Sequence, residues 1–207
     1  APRDHAFPQP APMPSLIMTA KRFDCDALKR QQKKGIAVIS TPDLRWKRCD
    51  IKSVSLLGNV LAKQAARQNG ASEGWMVDAQ GLITEGASSS AFIIDQAGCL
   101  RIPTLSADIL PSITRRAVLD IAEQQGIKID HRAFSLDEAR SAQEAFIAST
   151  TAGVSPVILL DDQMIGNGLP GPITKAIILR HWDHMKACLD RPAVQRSSRK
   201  MAASPAR

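Results

Sequence analysis

The sequence predicts an α/β fold of the mixed, α+β kind, with one sheet curled against helices. Three observations predict it. Short apolar runs of strand length recur at 15–20, 36–40, 74–78, 91–94, 99–102, 127–133, 144–149 and 155–161. Helical patterns separate only some of them, at about 24–34, 53–69, 112–125, 135–142 and 171–187, so hairpins mix with helices instead of alternating strictly. Gly70, Gly81, Gly98, Gly126 and the Gly166–Gly171 cluster punctuate the pattern as turns. At 207 residues the chain suits one domain with a full core, since chains of this size bury about 70% of their unfolded surface.

Along the chain, Pro8-Gln9-Pro10-Ala11-Pro12-Met13-Pro14 is stiff and extended and cannot join a sheet interior. The pattern Leu57, Val60, Leu61 and Gln64 makes 53–69 a helix that follows the segment ending in Ile51-Lys52. Leu82-Ile83-Thr84-Glu85 is a strand-like run that opens into a Gly/Ser turn at Gly86-Ala87-Ser88-Ser89-Ser90. Ala117, Val118, Ile121 and Ala122 give the helix at 112–125 an apolar face. Ala145-Phe146-Ile147-Ala148 is a buried strand, and Asp161-Asp162 a hairpin turn. Residues 189–207, with few large apolar side chains, form a basic tail expected to be disordered.

The formal charge of +7 is concentrated in 21–34 (net +4) and 180–207 (net +5). Neither stretch interleaves aromatics with its basic residues, so a solvated helix face and a tail account for it, and no nucleic-acid partner is expected. Hydrophobic content is 44%, without an apolar run of membrane-span length or a basic-then-apolar leader. Cys25, Cys49, Cys99 and Cys188 form no close pair and no metal-ligand spacing. A cytoplasmic setting, no membrane and no metal are the expectations. His181-x-x-His184 shares a helix face but lacks nearby Cys or acidic ligands, which favours a surface helix.

Chemistry is concentrated in a few residues. Lys52 lies between a strand and a helix, where an amine can be held still and partly desolvated to form a Schiff base with a carbonyl cofactor. Glu85, at the end of its run, can turn a carboxylate toward a ring nitrogen. Lysine for an aldehyde and carboxylate for a ring nitrogen point to pyridoxal phosphate. Ser112-Ile113-Thr114-Arg115 opens a helix, whose free N–H groups and dipole suit a phosphate at about 0.3–1 kcal/mol per interaction. Ser149-Thr150-Thr151 adds hydroxyls after a strand, although Ser and Thr are also ordinary helix caps.

The segments Arg45-Trp46-Lys47-Arg48-Cys49-Asp50-Ile51-Lys52-Ser53, Thr84-Glu85-Gly86-Ala87-Ser88-Ser89-Ser90, Ile113-Thr114-Arg115 and Ser149-Thr150-Thr151, in this order, resemble the fold-type IV (class IV) aminotransferases, most closely the D-amino-acid transaminases. The resemblance covers about residues 1–184. It implies a large cofactor-binding domain at 15–188, built as a pseudo-barrel of mixed sheet flanked by helices, after an interdomain connection at 1–14. It also implies a preceding smaller domain of roughly a hundred residues that this sequence does not contain, and a homodimer. Lys52 would carry pyridoxal 5'-phosphate and Glu85 face its ring nitrogen. Leu110 would pack on the ring, and Ile113, Thr114, Ser149 and Thr150 cradle its phosphate. Arg3 and His5, in Pro2-Arg3-Asp4-His5, match the motif that holds a substrate carboxylate. The implied activity transfers the amino group of a D-amino acid of the D-alanine type to a 2-oxo acid such as 2-oxoglutarate. Alternatives are an aminodeoxychorismate-lyase-like enzyme, a branched-chain L-amino-acid transaminase, or a truncated chain that binds no cofactor. Ser90 and Gly153 depart from the family pattern, where asparagine and glutamate are common.

Overall fold

The computed structural model describes residues 6–189. Arg3, His5 and the basic tail from residue 190 lie outside the described residues. In chain order the elements are α1 (Cys25–Lys34), β1 (Ile36–Pro42), α2 (Leu57–Gln68), β2 (Glu73–Val77), β3 (Leu82–Gly86), β4 (Ser90–Ile94), β5 (Leu100–Arg101), α3 (Ile113–Gln124), β6 (Ile129–Asp130), β7 (Phe134–Ser135), α4 (Leu136–Arg140), β8 (Glu144–Ser149), β9 (Gly153–Leu160), β10 (Gln163–Met164) and α5 (Pro172–Leu189).

One mixed sheet runs β6-β5-β4-β8-β9-β1-β2-β3-β7, with β10 paired to β9. β1 is parallel to β2 and to β9, while β2–β3, β4–β8 and β8–β9 are antiparallel. Chain connectivity forces this sheet to curl. β3 and β4 stand five ladder steps apart, which across a flat sheet at ~4.8 Å per step is about 24 Å. Gly86 and Ser90 are four residues apart, a reach of at most about 14 Å. The two strand ends meet only if the sheet bends round toward a barrel, which is the predicted architecture.

Both faces of the curled sheet are buried, so its central strands carry continuous apolar runs. Alternation sorts the side chains. Ala91 and Ile93 of β4 and Ala145 and Ile147 of β8 join Trp75, Ile83, Val157 and Phe134 in one core. Phe92, Ile94, Phe146 and Ala148 point the other way, onto Val118, Ile121 and Ala122 of α3 and Ile177 of α5. Phe92 and Phe146, cross-strand partners, stack at 4.6 Å. The registers bring the start of β2, the turn from β3 to β4 and the turn from Ser149 to Gly153 to one rim of the sheet.

The starts of α3, α4 and α5 are satisfied by side chains, while α2 starts without a side-chain cap. Ser112 caps α3 by accepting from the Arg115 N–H, and Ser135 with Glu138 forms a capping box on α4. At α5 the cap comes from a distant strand: buried Glu144 accepts from the amides of Ile173 (2.9 Å) and Thr174 (2.7 Å). Gly171 is required beside it, because a Cβ there would lie 2.1 Å from the Glu144 carboxyl carbon. Glu144→Ala orphans one buried and one half-buried donor and is expected to cost about 1–3 kcal/mol, read as a lower thermal midpoint than wild type.

Three expectations change. The run at 15–20 is no strand: residues 6–24 hold no regular element, and Leu16, Ile17 and Met18 are exposed. Strand-forming side chains without a neighbouring strand to pair or pack against do not make a sheet. The helix expected from residue 53 starts at Leu57, after a turn in which the Leu56 N–H binds the Val54 carbonyl. The strand expected over 127–133 shrinks to Ile129–Asp130. The Asp161-Asp162 hairpin is present, both residues at positive φ (49° and 61°), as a two-residue turn between β9 and β10 requires.

Candidate active site

Where β1 ends, the chain enters the loop 43–56 that leads to α2. The Asp43 N–H binds the Val77 carbonyl and holds the loop start against β2. Arg45 then turns inward. Its Nη1 lies 2.5 Å from Glu85 Oε2, and its Nη2 lies 2.7 Å from Asp43 Oδ2. Nη2 also donates to Thr84 Oγ1 (3.2 Å) and to the Asp108 carbonyl (2.9 Å). The other Glu85 oxygen, Oε1, accepts from the Leu110 N–H at 2.9 Å. The three charged side chains are nearly sealed, at 5% exposure for Arg45, 11% for Asp43 and 8% for Glu85.

Burial dominates the electrostatics of Glu85. It pushes the carboxyl up to about 7, against the charge and hydrogen bond of Arg45 and the Leu110 N–H. Burial also pushes Asp43 up, but hydrogen bonds from Arg45 and Thr84 and the Arg45 charge outweigh it and leave Asp43 below its ordinary value. Burial lowers Arg45, and the Asp43 hydrogen bond with the charges of Glu85 and Asp43 more than reverses that. Because Glu85 is raised on folding, its contribution to stability is full below about pH 4.5 and is lost as pH rises through about 7. Urea midpoints of wild type at pH 5 and pH 8 are expected to fall with pH, and Glu85→Gln is expected to remove part of that fall.

Lys52 follows from this anchoring. Two residues before it, the Asp50 N–H binds the Ala107 carbonyl, so the loop is tied to the same 104–112 segment that carries Leu110. Lys52 itself is exposed, lies in the loop rather than against a helix start, and has no hydrogen-bond or ion-pair partner among the described residues. The expected partial desolvation of its amine is thus absent in this structure.

Leu110 is half-buried. Three residues on, α3 begins with the Ile113 and Thr114 amides free of partners among the described residues, and the side chain of Thr114, a largely buried residue, makes no hydrogen bond among them. Free amides and a free hydroxyl at a helix N-terminus suit an anion. Ser149 ends β8, where its hydroxyl oxygen accepts from the Ala152 N–H, leaving its O–H to donate elsewhere. Thr150 is exposed beside it. α3 and β8 pack on each other through Val118 and Ala148. The structure therefore joins Glu85 and Leu110 directly and fastens the Lys52 loop to them. Ile113, Thr114, Ser149 and Thr150 lie on elements that pack together. No group of residues fit to hold a metal occurs among the described residues.

Sequence reasoning missed Arg45 and Asp43 as site residues. Their signal was available: two opposite charges at i and i+2 just past an apolar strand, near a carboxylate expected to be buried. Buried charges need partners, so Glu85 implied a cation.

The amino-transferase class IV family model matches residues 2–160. The D-alanine aminotransferase of Bacillus licheniformis is 41% identical over 160 residues, covering 77% of this chain and 56% of that protein. That of Staphylococcus haemolyticus is 37% identical over 179 residues, covering 86% and 61%. Among solved structures, the branched-chain amino acid aminotransferase of Thermobaculum terrenum in its PLP form superposes with a TM-score of 0.71 at 26% identity, covering 77% of this chain and 53% of that one. The branched-chain amino acid aminotransferase of Escherichia coli gives 0.65 at 29%, covering 72% and 52%. The chain thus spans a little over half the length of these relatives.

Proposed function

The chain belongs to the class IV aminotransferase family, and from that membership we propose that it is a pyridoxal-phosphate-dependent transaminase moving the amino group of a D-amino acid to a 2-oxo acid. The observation that carries this reading is Glu85: a sealed carboxylate, fixed at one oxygen by Arg45 and at the other by the Leu110 N–H. The residues present fit the cofactor. Lys52 offers an unpaired primary amine for its aldehyde, Glu85 a carboxylate for its ring nitrogen, and Leu110 an apolar contact for its ring. The free amides and hydroxyl of Ile113 and Thr114, with Ser149 and Thr150, offer donors for its phosphate.

When bound, pyridoxal phosphate supplies a ring that accepts electron density as a proton leaves the substrate α-carbon. Glu85 keeps the ring nitrogen protonated, since a carboxylate in a low-dielectric site favours the cation beside it. Arg45 fixes the carboxylate's direction and helps keep it charged. Lys52 Nζ is the base that takes the α-proton and the acid that returns one. Arg3 and His5 would hold the substrate carboxylate, by the bidentate geometry a guanidinium offers a planar anion.

Similarity to D-alanine aminotransferases supports a D-amino acid donor. Likeness to branched-chain enzymes keeps L-leucine as the comparison substrate. A homodimer is part of the proposal: Val54, Leu57, Val60 and Leu61 leave an exposed apolar face on and before α2. A cytoplasmic setting is proposed as well; among the described residues no helix is long and apolar enough to cross a membrane. The test is direct. With pyridoxal phosphate, D-alanine and 2-oxoglutarate, D-glutamate is expected. Pyruvate release from aminodeoxychorismate without an amino acceptor, faster turnover of L-leucine, or a protein that stays colourless would each replace this reading.

A further inference from the structure

Glu73 is a buried carboxylate for which the proposed reaction has no use. It opens β2 at 1% exposure, on the rim that carries the turn following Glu85. Its Oε2 accepts from the hydroxyls of Ser88 (2.7 Å) and Ser89 (3.1 Å). Its Oε1 accepts from the Gly74 N–H (3.1 Å) and lies 3.3 Å from Lys63 Nζ, which itself donates to the Ser72 carbonyl. The same turn is tied by the Ala87 N–H to Gly74, by Asn59 to the Ala87 carbonyl, and internally from the Gly86 N–H to Ser89. Gly86 is closely packed there, since a Cβ would meet Ser89 Oγ at 2.3 Å.

A carboxylate only accepts, so both hydroxyl protons are committed to Glu73. Ser88 therefore presents only lone pairs elsewhere. Ser88, Glu73 and Lys63 line a cavity of about 390 Å³ that Ser149 also lines. Ser149 has the reverse polarity, its oxygen occupied by Ala152 and its proton free. Ser88 thus offers the cavity acceptors, while Ser149 offers a donor.

We propose that Glu73 is a positioning residue: held by Lys63, it orients the Ser88 and Ser89 hydroxyls and sets Ser88 as an acceptor at the cavity edge, for an N–H group of the amino substrate. This rests on the transaminase reading for the identity of the bound molecule, and on the geometry alone for the orientation of the turn. Glu73→Gln keeps the side-chain shape, and with its carbonyl oxygen facing the Gly74 N–H and Lys63 its amide nitrogen takes the place of Oε2 and donates to both serines. Both hydroxyl protons are then free in place of being committed to Glu73.

The experiment uses the full chain and two readouts. Amide hydrogen exchange at Gly86–Ser90 needs no activity: Glu73→Ala is expected to speed it at least tenfold while β4 and β8 stay protected. Steady-state kinetics then separates the substrates. Glu73→Gln is expected to raise KM for D-alanine about tenfold, with kcat and the KM for 2-oxoglutarate within twofold of wild type. Unchanged exchange in Glu73→Ala overturns the positioning role. Equal changes for both substrates, or a change in kcat alone, overturn the acceptor role. A wild-type chain that fails to take up pyridoxal phosphate removes the transaminase reading and with it the acceptor role; the exchange result alone then decides the positioning role.

Discussion

Lys52→Ala is expected to remove transamination almost entirely, with turnover falling at least ~10²–10⁴-fold, the range for a lost general acid–base. The loss of the cofactor's attachment adds to it. The structure supports a specific effect because Lys52 carries no structural burden: it is exposed and unpartnered among the described residues, and the loop around it is anchored elsewhere. The thermal midpoint is therefore expected to stay within about 1 °C of wild type, as surface substitutions usually change stability by less than ~0.5 kcal/mol. Lys52→Arg should be as inactive as Lys52→Ala, because a guanidinium keeps its proton and cannot act as a base. Half-reaction rates and melting curves measured on the same preparations would separate chemistry from folding. Substantial turnover by either variant would remove Lys52 from the mechanism.

Arg45→Met is expected to have the opposite signature. Arg45 is the cation between two buried carboxylates, and removing one partner of a buried pair costs about 3–5 kcal/mol because the remaining charge is left uncompensated. At this chain length that lowers the melting midpoint by on the order of 10 °C. Without Arg45, only the Leu110 N–H opposes burial at Glu85, which is driven further above its value of about 7. The destabilisation should therefore be smaller at pH 5, where Glu85 is neutral, than at pH 8. Arg45→Met with Glu85→Gln should be less costly than the sum of the two single changes. Additive effects, independent of pH, would mean that the observed contact carries no coupling.

The parts of this fold read correctly from sequence are those fixed by burial pattern. β4 and β8 are continuous apolar runs because both faces of the sheet are covered, and α3 shows its apolar face through Val118, Ile121 and Ala122. Side-chain partners that are distant in sequence were not legible. Glu144 reaches 29 residues to cap α5, and Glu73 reaches 15 to orient Ser88. Neither residue differs in local pattern from a surface acid. The same limit explains 15–20, where the composition favours a strand but no partner strand pairs with it among the described residues. At the site, Glu85 was legible within a motif and Leu110 only through what the family resemblance implies, and the structure joins them by one hydrogen bond. Arg45 opens the motif that carries Lys52, and its partners are set only when β3 folds against the 43–50 loop. Lys52 was expected to be shielded and is not, because the loop that carries it reaches α2 four residues later than the periodicity implied.

The most direct measurement is chemical. The chain is incubated with pyridoxal phosphate, reduced with borohydride, digested, and the lysine bearing the added mass is located by mass spectrometry. The account predicts one modified site, Lys52, formed more slowly in Glu85→Gln and absent in Lys52→Ala. Modification at Lys47 or Lys63 in place of Lys52, or no stable adduct at all, would contradict it.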